Sequence, residues 1–338
     1  MARMAKLGYG QPCEPRVWRR RRQFAFLPLI LLTSGLVRAA DLRIGFVGAD
    51  TSHAIAFTEM LNDSNARGHV AGARVVAAYK GGSPDIEKSF TRVDKFAGQL
   101  AARWNVEIVP DIATLCAKVD AVMIESIDGR AHLRQVEQVI AARRPFFVDK
   151  PLAASYDDAL QIAKEARQAG VPWFSSSSLR FSALAGALKF SDANGYFVWG
   201  PGPLEEHHAL ELAWYGIHSA ELLFTWMGTG CVEVQRTFSD GADVTTCRWR
   251  DGRIGTMRVN RPYSEFGGLA FRPKEVVRSA AAPDTGYAEL VAAVVKFFQT
   301  GQPPVSPQET LEIFAFMEAA QRSKESGGRP VRIRDLSL

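Results

Sequence analysis

Cysteine is scarce in this chain, four residues in 338. A scaffold built on disulfides is thereby excluded. Cys116, Cys231 and Cys247 follow the leader, an odd number, and the hairpin register inferred below does not set Cys231 opposite Cys247. A Cys231–Cys247 bond is conceivable in an oxidising compartment, but packed free thiols are the expectation. Neither C-x-x-C nor H-x-x-x-H occurs, so the spacings that mark zinc sites are missing. No apolar run approaches the ~20 residues of a membrane-spanning helix. Surplus positive charge is missing too, although the net charge is +5. The first 39 residues hold eight of the 41 basic and one of the 36 acidic residues, leaving 33 against 35, a net of −2. A near-neutral body without a basic stripe argues against nucleic acid as a partner.

The basic leader contains "RRRRQFAFLPLILLTSGLVRAA". It has a basic start, a short apolar core over residues 24–32 and small residues at its end, the pattern of an export signal. Val37 and Ala39 fit a small-x-small cleavage site, and "RRQF" resembles a twin-arginine signal. The expectation is an exported, periplasmic protein without stable membrane insertion. An uncleaved anchor or a misassigned start is the alternative.

From Leu42 strands and helices alternate. "LRIGFVG", "ARVVAAY" (73–79), "VEIV" (106–109), "DAVMIES" (120–126) and "PFFVDK" (145–150) read as strands. Residues 92–105 and 131–144 read as helices. Continuous apolar strands alternating with helices mean a parallel sheet covered on both faces, with ligands at the carboxyl ends of its strands. After Pro151 the character changes. A helix over 155–170 precedes a strand-like "VPWFSSSS", and "CVEVQRTF" (231–238) reads as a neighbour of a hairpin. That hairpin joins "DVTTCRWR" to "RIGTMRVN" through Asp251–Gly252, read as a two-residue turn pairing Cys247 with Thr256 and Trp249 with Ile254. Helices over 287–299 and 308–324 close the chain. The fold class is α/β: a Rossmann-like doubly wound parallel sheet, then an α+β domain with an open antiparallel sheet. The expected divisions are 1–40, 41–152 and 153–338.

Three stretches can carry chemistry. "DKP", Asp149-Lys150-Pro151, ends the fifth strand; its lysine is either a proton donor over a bound ligand or a surface lysine at a turn. In "WYGIHSAELLFTWMG" (214–228), His218 starts a helix and Glu221 lies one turn on, a pair in which Glu can orient His; a packed core histidine is the alternative. "LEEHHALEL" gathers Glu205, Glu206, His207, His208 and Glu211. As a strand it would set His208 with Glu206 on one face. Its spacing supports no metal, and none is expected.

Together these residues resemble the glucose–fructose oxidoreductase / inositol dehydrogenase / rhizopine catabolism (Gfo/Idh/MocA) family across about residues 42–330. "DKP" is similar to the family's E-K-P, "GIHSAE" to its G-x-H-x-x-D, and His132 in "DGRAHL" to its histidine after the fourth strand. The resemblance implies an NAD or NADP cofactor, a sugar, polyol or glycoside substrate and a homo-oligomer paired through the open sheet. It makes Lys150 and His218 catalytic and places Arg180, Glu221 and His208 near the substrate. It places Gly48, Asp50, Thr51, Ser52, His53, Lys80, Ser126, His132, Asp149 and Lys150 at the cofactor.

Three departures bear on that expectation. Trp214 stands where active members often carry Asp, four residues before the histidine. The loop "GFVGADTSHA" has Asp50 and His53 where G-x-G-x-x-G would have glycines. The second strand ends "AYKGGS", without an acid for a ribose 2′-hydroxyl. Asp50 is expected either to oppose a diphosphate or to cap the following helix. A non-redox carbohydrate-binding, lyase or hydrolase relative is the second functional expectation.

Overall fold

The computed structural model describes residues 40–280 and 286–334. The expected leader and its cleavage site lie outside them. The first half runs β1 (Leu42–Val47), α1 (Ser52–Asn62), β2 (Ala73–Tyr79), α2 (Glu87–Phe90), α3 (Val93–Trp104), β3 (Glu107–Val109), α4 (Ile112–Lys118), β4 (Ala121–Ile124), α5 (His132–Ala141), β5 (Phe146–Asp149), α6 (Tyr156–Ala169) and β6 (Trp173–Ser176). All pairings are parallel, in the order β3-β2-β1-β4-β5-β6. Every residue of β4, β5 and β6 is buried, including Asp149 and Ser175–Ser176 at the carboxyl ends of β5 and β6. The "VPWFSSSS" strand therefore completes the first sheet, past the change of character at Pro151. The order reverses at β1, between β2 and β4, so the carboxyl ends of β1 and β4 gape where open α/β sheets bind ligands.

The second half runs α7 (Ala183–Ala187), β7 (Gly195–Pro201), α8 (Glu211–Trp214), α9 (Ile217–Met227), β8 (Cys231–Ser239), β9 (Ala242–Trp249), β10 (Ile254–Asn260), β11 (Gly267–Phe271), β12 (Val276–Arg278), α10 (Tyr287–Thr300), α11 (Pro307–Glu325) and β13 (Val331–Arg332). Its sheet has the order β12-β11-β7-β10-β9-β8-β13. It is antiparallel except at β7–β10, which pair parallel, so the sheet is mixed. "LEEHHALEL" forms no strand: residues 206–207 turn, and α8 begins at Glu211.

Two local expectations are corrected here. Cys247 pairs with Gly255 and Ile254 with Arg248, one residue from the expected register. Trp249 N–H donates to the Arg253 carbonyl and Gly252 takes φ +90°, so the turn has three central residues and ends on a left-handed glycine. Cys231 and Cys247 form a disulfide with Cα atoms 6.1 Å apart. The hairpin register was the wrong test, because Cys231 lies on β8. There it faces Trp249, two residues from Cys247 on the same face of β9, across a bulge between Cys231 and Glu233. Among the described residues Cys116 is the free cysteine, buried, with its thiol pushed up by burial to about 11.

α9 and α11 pack together beneath this sheet, where Phe224 meets Trp249 and Phe316. α10 returns to the first sheet. Its Leu290, Val291, Val294 and Phe297 join Phe46, Phe57 and Phe174 in one core. That return carries Tyr287, the first residue of α10, to the start of α1.

Candidate functional site

A cleft of about 450 Å³ opens at the carboxyl ends of β1 and β5. Its walls come from Thr51 in the β1–α1 loop, the start of α1 (Ser52, His53), the end of β5 (Asp149, Lys150) and the start of α9 (His218). Tyr263, Glu265 and Phe266, from the loop after β10, form a further wall. Trp214, Tyr215, Tyr287, Lys88 and Arg92 complete it.

The β1–α1 loop folds as it does for steric and capping reasons. Gly48 has φ +100°, and a Cβ there would fall 2.3 Å from the Ser126 backbone nitrogen, so only glycine fits. Thr51 is the N-cap of α1, its hydroxyl accepting from Ala54 N–H at 3.3 Å. Asp50 does neither thing expected of it. It is fully buried, accepting from the Ser89 hydroxyl at 2.5 Å and from Ile127 N–H at 3.0 Å. Burial pushes its carboxyl up, against those two hydrogen bonds. The repulsion of a diphosphate expected from Asp50 is therefore absent from the cleft wall.

Fully buried Asp50 also closes the neighbouring strand end. Ser89 accepts from Ser83 N–H at 2.7 Å, and the Ser83 hydroxyl donates to Asp128 at 2.7 Å. A Cβ on Gly81 would lie 3.3 Å from the Gly48 Cα, so the β2 end rests on the β1 loop. Lys80 points outward to Asp94 at 2.6 Å and does not reach the cleft. A dinucleotide thus finds the α1 N-terminus open, flanked by the cationic Lys88 and Arg92, but no ribose-binding group at β2. The diphosphate and nicotinamide portions fit the residues present.

At the cleft floor, His53 Nδ1 lies 2.5 Å from Asp149 Oδ2, and His53 Nε2 lies 2.8 Å from the Tyr287 hydroxyl. Asp149 Oδ1 accepts from Lys150 N–H at 2.8 Å. Burial works to raise the Asp149 carboxyl, but the charge and hydrogen bond of His53, with Lys150, hold it below the ordinary carboxylate value. Lys150 is lowered by desolvation and by Lys88, against the pull of Asp149, and its ammonium sits 5.4 Å from the Tyr215 ring centroid. His218 is pushed well below its ordinary value, first by desolvation and then by Lys150 and His53, so it is a neutral imidazole at neutral pH. The Ser177 hydroxyl meets its Nδ1 at 2.8 Å, and no described residue occupies Nε2. The arrangement offers a neutral acceptor nitrogen and a desolvated amine on one cleft, the equipment for moving a proton on a hydroxyl or carbonyl.

Several expected site residues lie elsewhere. Arg180 is taken by Glu221 at 2.6 Å and Glu309 at 2.5 Å in a buried ion pair off the cleft wall. Glu221 therefore holds Arg180, and Ser177 orients His218 instead. His208 is buried against Asp128 at 3.2 Å and lies edge-on to Trp214. His132 bridges the carbonyls of Ser126 at 2.8 Å and Leu152 at 3.2 Å, tying the β4 loop to the chain after β5. Ser126 contributes its backbone to the Gly48 contact, and its hydroxyl accepts from Gln135 at 2.9 Å. Tyr287, Ser177, Tyr263, Glu265, Lys88, Arg92 and Glu125 were missed. Only Glu125 carried a signal, an acid ending an otherwise apolar buried strand.

Residues 42–176 match the Gfo/Idh/MocA model, an oxidoreductase family with an NAD-binding Rossmann fold. Among solved structures, GenD2 from gentamicin A biosynthesis, crystallised with NAD, is 18% identical; the alignment covers 87% of this chain and 97% of that one, with a TM-score of 0.71. A myo-inositol dehydrogenase from Lactobacillus casei, in complex with NAD(H) and myo-inositol, is 17% identical over 88% and 98%, with a TM-score of 0.69. A myo-inositol 2-dehydrogenase from Lactobacillus plantarum is 15% identical over 87% and 100%, with a TM-score of 0.71. Such identities establish a shared fold across both halves. No curated protein sequence matches the chain.

Proposed function

Because the chain belongs, through residues 42–176, to the Gfo/Idh/MocA oxidoreductase family, we propose that it is an exported NAD(P)-dependent oxidoreductase acting on a hydroxyl of a sugar, polyol or glycoside. One observation carries this reading: Lys150 and His218 face the same cleft as the N-terminus of α1. Backbone N–H groups at Ser52 and His53, with Lys88 and Arg92, would hold the diphosphate. The nicotinamide, when bound, supplies the hydride acceptor or donor. His218 Nε2 takes the proton from the reacting hydroxyl. Lys150 hydrogen-bonds the same oxygen and steadies the charge that develops on it. Trp214 stands where other members often carry a carboxylate, so a neutral partner, Ser177, holds the His218 ring at Nδ1. Sugar-like substrates suit the cleft because Tyr215, Tyr263 and Phe266 offer ring faces beside polar groups.

Export is supported by the Cys231–Cys247 disulfide, since such bonds persist in oxidising compartments. Phe197, Trp199 and Leu269, half-buried and alternating with the buried Tyr196, Val198 and Ala270, form an outward apolar strip on β7 and β11 that suits pairing with a second copy.

The closed β2 end favours a second reading, a relative that kept the scaffold and gave up the dinucleotide. Mass spectrometry of the purified protein, with NAD and NADP titrations, separates the two. Bound or titratable nicotinamide supports the oxidoreductase. Failure of both overturns it.

A further inference from the structure

Under the cleft lies a cluster that hydride transfer does not use. Glu125, at the carboxyl end of β4, is fully buried, and neither of its carboxylate oxygens has a hydrogen-bond partner. An unsatisfied buried carboxyl is costly, and buried carboxylates are expected to be paired or to bind metal. Glu125 also feels Asp149 and Asp50, both buried, as like charges. Three acids converge here, and His53 is the side chain set among them. One imidazole nitrogen and one oxygen each from Glu125 and Asp149 lie within 4.8 Å of one another.

We propose that His53, Glu125 and Asp149 bind a divalent transition-metal ion, of which zinc is the best fit. Closing these atoms onto a centre about 2.0–2.2 Å from each gives a three-ligand site. The donor set of one imidazole and two carboxylates, with no thiolate, excludes a soft-metal site and disfavours magnesium and calcium, which take oxygen alone. Along the first-row series affinity rises from manganese to copper and falls back at zinc, so zinc should bind more tightly than manganese, and three N/O ligands with an open position are the pattern of zinc. The outer groups are already in place. Tyr287 receives the other ring nitrogen of His53, and Lys150 N–H holds the far oxygen of Asp149, so both ligands are fixed in orientation. His53 and Asp149 reach the cleft wall, so the remaining coordination positions would open to the cleft and could take water or a substrate oxygen. Binding displaces any proton on the ligating His53 nitrogen. The site does not depend on the oxidoreductase reading, since all three ligands belong to this chain.

The test is metal content, read without activity. Full-length protein is stripped with chelator, checked for its native circular dichroism, and titrated with Zn²⁺ and then Mn²⁺ by calorimetry. One zinc per chain is expected, bound more tightly than manganese. Glu125→Gln and His53→Ala should each weaken it by more than about tenfold, because losing even an outer-shell partner costs about 10–100-fold. Tyr287→Phe, which keeps every ligand and the aromatic packing, should weaken it by that outer-shell amount. Zinc affinity unchanged in Glu125→Gln or in Tyr287→Phe would place the ion elsewhere, for instance at the exposed His207–Glu205 pair, and overturn the assignment. No zinc binding at all would overturn it as well.

Discussion

Two buried charged clusters in this molecule are built on opposite rules. In the second sheet, Arg236 is fully buried and donates to Asp243 at 2.8 Å, to Glu211 at 2.8 Å and to Gln321 at 3.1 Å. Arg261 adds a second cation on Asp243 at 2.6 Å. Two arginines face two acids, and every buried carboxylate oxygen of Asp243 is met. Under the cleft, Asp50, Glu125 and Asp149 share a small volume with one histidine, and Glu125 meets nothing. The first cluster is complete as it stands and holds β8, β9 and α8 together. The second is complete only with something added. That contrast separates charge used for architecture from charge kept for a ligand.

The largest effect should come from breaking the complete cluster. Asp243→Ala leaves Arg236 and Arg261 without their shared anion, and breaking a buried pair from one side costs about 3–5 kcal/mol. Glu125→Gln in metal-free protein removes no hydrogen bond and should cost less than about 1 kcal/mol, or stabilise. Denaturant unfolding of both variants checks this. Equal losses would erase the distinction between the clusters.

Rate is the next quantity. His218→Gln should lower turnover of a hydroxyl substrate by about 10²–10⁴-fold, the usual worth of a positioned acid–base group. Its pH signature is distinct from that of a structural histidine. The folded pKa of His218 is depressed, so the unfolded chain takes up the proton first as pH falls below about 6.5. His218 therefore costs the fold stability on the acid side, and the cost grows until the folded pKa is reached. Wild type should lose stability relative to His218→Gln below that pH and match it near pH 8. Burial first, then Lys150 and His53, keeps the imidazole neutral. A variant that loses stability at every pH would mark His218 as packing alone.

Reducing the Cys231–Cys247 bond, or replacing both residues by serine, should cost about 3 kcal/mol, the value for a closed loop of roughly fifteen residues. Urea unfolding with and without reductant measures it. No loss would mean that the sheet already fixes β8 against β9.

The sheets and most helices were legible because they rest on local patterning. Continuous apolar runs gave β4 and β5, and Leu290, Val291, Val294 and Phe297 gave the buried face of α10. Lys150 and His218 were legible through short motifs. What stayed hidden was assembled across distance. His53, Glu125 and Asp149 come from three strand ends, and no spacing rule links positions 53, 125 and 149. Tyr287 reaches the site only because α10 folds back onto α1. Arg180 and Glu221 were placed near a substrate by the family resemblance; their mutual pairing, with Glu309, needed the fold to be seen. The disulfide was hidden by a bulge, which no alternation pattern reveals.

The smallest effect, and the sharpest on the loop, concerns Asp50. A bare reading of "GADTSHA" puts its charge at the mouth of a helix, where replacement by glycine would tighten anion binding. Its burial reverses that expectation. Asp50→Gly removes the acceptor for Ile127 N–H and for the Ser89 hydroxyl, so the α2 segment loses its tie to β1 and β4. Leaving those donors unmet should cost about 1–3 kcal/mol. Nicotinamide affinity should stay within about threefold, because the carboxylate does not reach the cleft and its screened interaction through protein is weak. Thermal unfolding and a cofactor titration on the same variant test both halves. Unchanged stability with a tenfold gain in affinity would put the Asp50 charge back in the cleft.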